Sequence, residues 1–335
     1  MRTVFFLILC LFAPLTLAFG QSASFTLIEQ IELPTHIPKE LAREALRARI
    51  RLHSLQHICQ DLKSHPHIAA QVGTVDYPAI AALAYTSAIE EETRSDNTVT
   101  VRLTARQNEA SHIREAANNP DLLEVAGHFV SKTEAILRTI DAFWPTRLYI
   151  GKLTKKAPVP QEQHSPQKEE SMRLARTLTA CALAFTALDL RKDSWLTDRE
   201  ALTALEEAVA LDETDPYLLL LLAESRVIRH LPRQAILSAS QAIRLKGDLA
   251  RARYIRALAY KEMEQFALAE NDLSVVLDRP GGKNTKSALP ALLARANLRQ
   301  NLEKYAGMCE DLEEACRLGD CEALHRARRE ERCLR

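Results

Sequence analysis

Three stretches of the chain share one pattern and recur at a period of about 34 residues. They are DPYLLLLLAESRVIRHLPRQAILSASQAIRLKGD, LARARYIRALAYKEMEQFALAENDLSVVLDRPGG and LPALLARANLRQNLEKYAGMCEDLEEACRLGD. Each reads as a helix, a short polar break and a second helix. A ladder of compact side chains runs through all three: Ala223, Ala235 and Ala242, then Ala257, Ala269 and Val276, then Ala296, Met308 and Ala315, always at spacings of 12 and 7. Two helices joined by a short turn must lie against each other, and small residues at fixed places let their backbones approach. One such pair cannot bury its apolar face alone, so neighbouring pairs must stack. The fold class expected is mainly α, an α-α solenoid of helical hairpins.

The ladder, with Tyr260 and Phe266 in the second unit, Tyr305 in the third and the unit-end turns LDETDP and LDRPGG, resembles the tetratricopeptide repeat. The chain departs from that family in lacking its tryptophan and glycine, and Pro232 replaces an aromatic. A further unit, SMRLARTLTACALAFTALDL and DREALTALEEAVALDETDP, precedes the three, so the resemblance covers residues 171–335. It implies a concave groove lined by the first helix of each pair. Registering the units puts Tyr217, Leu220 and Glu224 there, followed by Arg251, Tyr254, Leu258 and Lys261, and then Leu293, Asn297 and Asn301. Aromatic, Arg and Asn side chains suit capture of a peptide or helix. Tyr254 and Leu293 are equally placed to pack against the next repeat. The basic and amide positions do not reproduce the set by which some members of the family clamp a terminal carboxylate.

The last unit carries Cys309 and Cys316 seven residues apart on one helix face, with Cys321 and Cys333 bounding the charged stretch that follows. Compartment decides between staple, metal site and redox centre. The chain opens with Arg2, an apolar run over residues 4–17 and the small residues Ala18 and Gly20, the pattern of a secretory leader over residues 1–20. That run is shorter than the roughly 18–20 residues that cross a bilayer. Export to the periplasm or beyond favours disulfides. If the closing helix folds back, Cys316 meets Cys321 and Cys309 meets Cys333, although four cysteines allow three connectivities. Zinc, with His325 as an added ligand, is the rival, but C-x6-C-x4-C is not the spacing of a tight zinc loop. No C-x-x-C redox motif is present.

Residues 21–151 follow a different rhythm. SFTLIEQIELP alternates like a strand, and HIPKELAREALRARIRLHSLQHICQDLKSH is a long amphipathic helix. AIAALAYTSAIEEET and TVTVRLTARQ read as strands joined by RSDN, with Val99, Val101, Leu103 and Ala105 on one face. NNPDLLEVAGHFVSKTEAILRTIDAFW is a second long helix, capped by Asn119 before Pro120. The order β-α-β-β-α describes a small α+β domain. Its pattern resembles the amino-terminal domain of the flagellar-assembly T-type envelope proteins. Residues 152–170, rich in Pro, Gln, Lys and Glu, are expected to be a linker.

This half also holds His53 and His57, an i,i+4 pair that zinc accepts, with Cys59, His65 and His67 close in sequence. Ser54 stands where a metalloprotease helix needs Glu. Solvated histidines on a helix surface are the plainer reading, with a metal-binding protein or enzyme as the alternative. Cys59 and Cys181 sit among apolar neighbours as buried small hydrophobes, and a bridge between them stays open. No phosphate-binding glycine loop, nucleophile elbow or haem motif occurs. The chain has 44 basic and 44 acidic residues. Removing the leader takes away Arg2 alone, leaving 43 against 44, a net charge of −1. No global attraction to nucleic acid follows. The sequence therefore points to an exported scaffold or assembly factor that binds an envelope protein through its groove, without a cofactor. A purely structural homo-oligomer is a third possibility.

Overall fold

A computed structural model of the chain describes residues 24–32, 38–64, 77–93, 98–107, 119–143, 168–190, 195–279 and 286–333. The expected leader, most of the expected linker, the RSDN turn, His65 and His67 lie outside the described residues. The chain divides into two compact units, Met1–Ala117 with Val130–Leu178, and Asn118–Phe129 with Thr179–Arg335. Among the described residues are twelve α-helices and a three-stranded sheet.

In the first unit, β1 (Ser24–Glu32), β2 (Tyr85–Thr93) and β3 (Thr98–Gln107) form an antiparallel sheet in the order β1-β3-β2. Strand β3 is central, and its alternation sets the two faces. Val99, Val101, Leu103 and Ala105 are fully buried, whereas Arg102, Thr104 and Arg106 are exposed. Helix α1 (Lys39–Ser64) packs on β3 and buries Leu41, Ile50 and Ile58. The sequence predicts a strand over AIAALAYTSAIEEET, but its first part is helix α2 (Tyr77–Ala84), and the strand begins at Tyr85. The physical reason is composition. AIAALA is made of good helix formers, apolar without alternation, and α2 packs on α1 with Ala79 to Leu83 buried.

Helix α3 (Pro120–Phe143) opens as predicted: Asn119 Oδ1 accepts from the Leu122 amide at 3.1 Å. Its first turns belong to the second unit and the remainder to the first. Helix α4 (Lys168–Leu190) is divided in the same way, with its later part in the second unit.

The second unit continues with α5 (Trp195–Leu211), α6 (Pro216–Ile228), α7 (Pro232–Leu245), α8 (Ala250–Glu262), α9 (Phe266–Leu277), α10 (Leu289–Asn301), α11 (Tyr305–Arg317) and α12 (Glu322–Arg329). Each of these helices packs on the next in sequence, so α6–α7, α8–α9 and α10–α11 are stacked hairpins in a solenoid-like array. The compact ladder is where the helices meet. Ala223, Ala235, Ala242, Ala257, Ala269, Ala296, Met308 and Ala315 are all buried, while Val276 is half-buried. The second hairpin follows the first by 34 residues, and the third follows the second by 39 (Ala223, Ala257 and Ala296). The longer connection lies between α9 and α10 and contains a 3-10 turn, Lys286–Ala288.

The hairpin turns share one backbone solution. His230, Glu264 and Glu303 adopt φ of 55°, 57° and 57°, and the next amide in each case bonds back to the carbonyl of Arg226, Tyr260 or Arg299. This is the left-handed helix cap that glycine usually supplies. At the end of α11 glycine does supply it, with Gly319 at φ 110° and the Asp320 amide bonded to the Ala315 carbonyl.

The cysteines close the array. Cys309 pairs with Cys333 and Cys316 with Cys321, with Cα separations of 5.6 and 4.1 Å. Helix α12 lies on α11, where Leu324, Ala327 and Cys333 join Met308 and Leu312 in a small core. Cys59 and Cys181 are buried and belong to neither bridge.

Candidate functional site

The amino end of α6 is built around Asp215. Its Oδ1 accepts from the backbone amides of Tyr217 and Leu218 at 2.8 and 3.3 Å, with Pro216 at the first helical position. Asp215 is 3 % exposed, and its Oδ2 accepts from His128 Nε2 at 2.9 Å. One buried side chain thus starts α6 and holds the opening turns of α3. His128 also stacks on the Tyr217 ring, with centroids 4.2 Å apart and an interplanar angle of 27°. Phe129 is fully buried and meets Phe185 of α4 edge to face at 6.2 Å. Burying a side chain of this size stabilises by about 1.5–3 kcal/mol, so Phe129 is the anchor of the segment.

Above that anchor the contacts are charged. Tyr217 donates its hydroxyl hydrogen to Glu124 Oε1 at 2.6 Å, and Lys246 donates to the same oxygen at 2.9 Å and also to the Tyr217 hydroxyl oxygen. One turn earlier on α3, Asp121 lies 4.0 Å from Arg251 Nη1. Arg251 donates from Nε to Glu224 Oε1 at 2.6 Å and lies 5.4 Å from the centroid of the Tyr254 ring. Asp121, Glu124, Tyr217, Lys246 and Arg251, together with Val125, Leu220 and the exposed Arg279, line a cavity of about 190 Å³.

The site's ionisation follows from this geometry. Burial pushes the Asp121 carboxyl above its ordinary range, more than Arg251 lowers it. Burial alone would also raise Glu124, but the hydrogen bonds from Tyr217 and Lys246 outweigh it and hold that carboxyl below the usual range. Lys246 is raised, first by its hydrogen bond to Tyr217 and then by Glu124. Burial and the bond to Glu124 raise the Tyr217 hydroxyl. Burial would favour an uncharged Arg251, but Glu224 more than offsets it. The arrangement is a set of fixed ion pairs with a stacked ring, suited to holding a charged polypeptide surface.

Four of the residues that the sequence assigns to a partner groove, Tyr217, Leu220, Glu224 and Arg251, are thus gathered here, and the polar side chains of α3 meet Tyr217 and Arg251. Tyr254 and Leu293 pack half-buried against the core between the second and third hairpins. Farther along, Lys261 is half-exposed and Asn297 and Asn301 are exposed. Asp121, Glu124, His128, Asp215 and Lys246 were missed by sequence reasoning. The first three form a legible polar stripe at i, i+3 and i+7 of a helix, but nothing in their spacing names Tyr217 as a partner.

In the first unit, His53 is exposed and His57 half-buried, with ring centroids 5.2 Å apart, and Cys59 is buried. Among the described residues no group of three His, Cys, Asp or Glu side chains is arranged to hold a metal ion. No family model matches the chain, and no curated protein matches it.

Proposed function

We propose that this protein is an exported scaffold or assembly factor whose tetratricopeptide-like half takes a polypeptide of a cell-envelope partner on the face formed by the first helix of each hairpin. The observation that carries this reading is intramolecular: a helix of the chain itself rests on that face through Tyr217 and Arg251, with Lys246 reaching it from the turn between α7 and α8. A surface that accepts one helix through an aromatic ring and fixed charges has the chemistry to accept another. The paired cysteines are compatible with an extracytoplasmic location. Among the described residues no helix is long and apolar enough to cross a membrane.

The test is position-specific photo-crosslinking in the full-length protein in its native cell. A photoreactive residue at Lys261 or Asn297 should trap a discrete envelope polypeptide, whereas one at Leu237, an exposed residue on a second helix, should not. Equal labelling from all three positions, or none from any, would refute the groove.

A further inference from the structure

The face of α6 and α8 already carries a peptide of this chain, and the way it is held specifies what else fits. Asp121 and Glu124 are three residues apart, so both carboxylates project from one side of a helix. They meet Arg251 on α8 and Lys246 in the turn between α7 and α8, and Val125 lines the same cavity as Leu220. Of the receptor's own acids, Glu224 is committed to orienting Arg251, and Asp248 lies at the rim. A third cation, Arg279, borders the same cavity and is exposed. The resident segment is held unevenly. Val125, Ala126 and Phe129 are buried, whereas the Asp121 and Glu124 side chains are 41 % and 50 % exposed and the Asp121–Arg251 pair is long. Helix ends open before helix middles, so the first turn of α3 is the part that yields.

We propose that this face is a receptor for acidic helices: the opening turn of α3 is its resident ligand, and a partner enters by presenting a helix with carboxylates three residues apart followed by a small apolar residue. The proposal rests on the groove reading above and names the partner's chemistry and the competition it meets. A resident ligand lowers apparent affinity in proportion to the fraction of molecules in which the face is open. The partner therefore binds the intact protein weakly until the resident turn is released.

The probe is a blocked, fluorescein-labelled peptide, NPDLLEVAGHFV, copied from residues 119–130. Its anisotropy is titrated against the full chain, with helicity checked by circular dichroism. Weak binding is expected for the unmodified chain. At least about tenfold tighter binding is expected for Asp121→Lys/Glu124→Lys, whose own segment is repelled. Glu124→Gln alone, which keeps side-chain size and removes the carboxylate that Lys246 and Tyr217 hold, should give a smaller gain in the same direction and serves if the reversed variant does not fold. Adding Lys246→Glu/Arg251→Glu to Glu124→Gln should abolish binding of this peptide and permit binding of one with Lys at both acidic positions. Equal affinity for a peptide carrying Asn and Gln in place of its acids would overturn the proposal. So would absence of any gain in both variants, or a chain that dimerises on release of the segment and takes up no peptide. If the peptide fails while crosslinks still form at Lys261 and Asn297, this inference falls alone. If both fail, the groove reading falls with it.

Discussion

The first hairpin of the stack and the two that follow it solve the same packing problem with different chemistry. In the second hairpin Arg256 makes a two-pronged pair with Asp272 at 2.7 and 2.7 Å and reaches back to Ser240 of the preceding hairpin. In the third, Arg295 does the same with Asp311 at 3.0 and 2.6 Å and reaches Ser274. These positions are equivalent at offsets of 39 for the arginine, the aspartate and the hairpin as a whole. In the first hairpin the equivalent residues are Leu222 and Ser238, and α6 is buried continuously from Tyr217 to Ser225. Arg226, one turn later, holds Ser238 at 2.5 Å and Glu206 of α5 at 3.2 Å. The lesson is that a fixed backbone hairpin tolerates either an apolar or an ionic link. α6, covered on more sides, takes the apolar one, since buried charge is expensive unless fully paired.

The largest expected effect breaks the ionic link on one side only. Arg295 and Asp311 are each 3 % exposed, so Asp311→Ala leaves the buried guanidinium with only Ser274 and a long contact to Asp278, strips a partner from Arg299 as well, and should destabilise the protein by about 3 kcal/mol in denaturant melts. Transplanting the apolar solution should be far milder. Arg256→Leu/Asp272→Ser is expected within about 1 kcal/mol of the parent, because a buried ion pair contributes little over a packed apolar one. A loss as large as that of Asp311→Ala would mean the hairpins are not interchangeable.

The two ends of the stack offer the next contrast. The last hairpin is closed covalently, the first by a docked segment. Replacing Cys309 and Cys333 with Ser should lower stability by about 3 kcal/mol and replacing Cys316 and Cys321 by about 2, as expected from loop length. In both variants faster hydrogen exchange should be confined to α11 and α12.

Closure at the first hairpin should instead respond to pH. Glu124 titrates below its ordinary 4.5 when docked, so its contribution is present above that value and lost as pH falls through the docked pKa. Asp121 has the opposite sign: raised above 3.8, it opposes docking increasingly as pH rises through that region. Lys246, raised above 10.5, contributes below that value and is lost at higher pH. Glu124→Gln removes the Glu124 contribution and leaves the opposing Asp121 slope in place. Loss of protection in the α3 opening turns on acidification, corrected for intrinsic exchange, should then be smaller than in the parent. An acid loss as steep as in the parent would contradict the assignment.

The smallest effect concerns the turns. His230, Glu264 and Glu303 hold a left-handed conformation that disfavours side chains, so Gly at any one should stabilise by up to about 1 kcal/mol. Gly319→Ala should destabilise by a similar amount.

Much of the architecture was legible because it is periodic. The compact-residue ladder located three hairpins, and the alternation of Val99, Val101, Leu103 and Ala105 located the buried face of β3. Nested cysteine pairing followed from a helix folding back. The misread helix α2 shows the limit: a six-residue apolar run without alternation fits either element, and packing on α1 decides. The Arg–Asp links were also written in the sequence, as an arginine followed by an aspartate sixteen residues later in two successive units. They were missed because charged residues on a helix are read as solvent-facing. The docking of Asp121 and Glu124 was not legible at all. It joins residues separated by 93 to 130 positions, and no local periodicity encodes such a pairing.

Hydrogen exchange over residues 119–129, in the parent and in Lys246→Glu/Arg251→Glu, tests the central claim most directly. The account predicts that protection of the first α3 turn falls by about one order of magnitude or more in the variant while α8 and α9 keep theirs. Unchanged protection in that turn, with the variant folded, would contradict the claim that these cations hold an acidic helix.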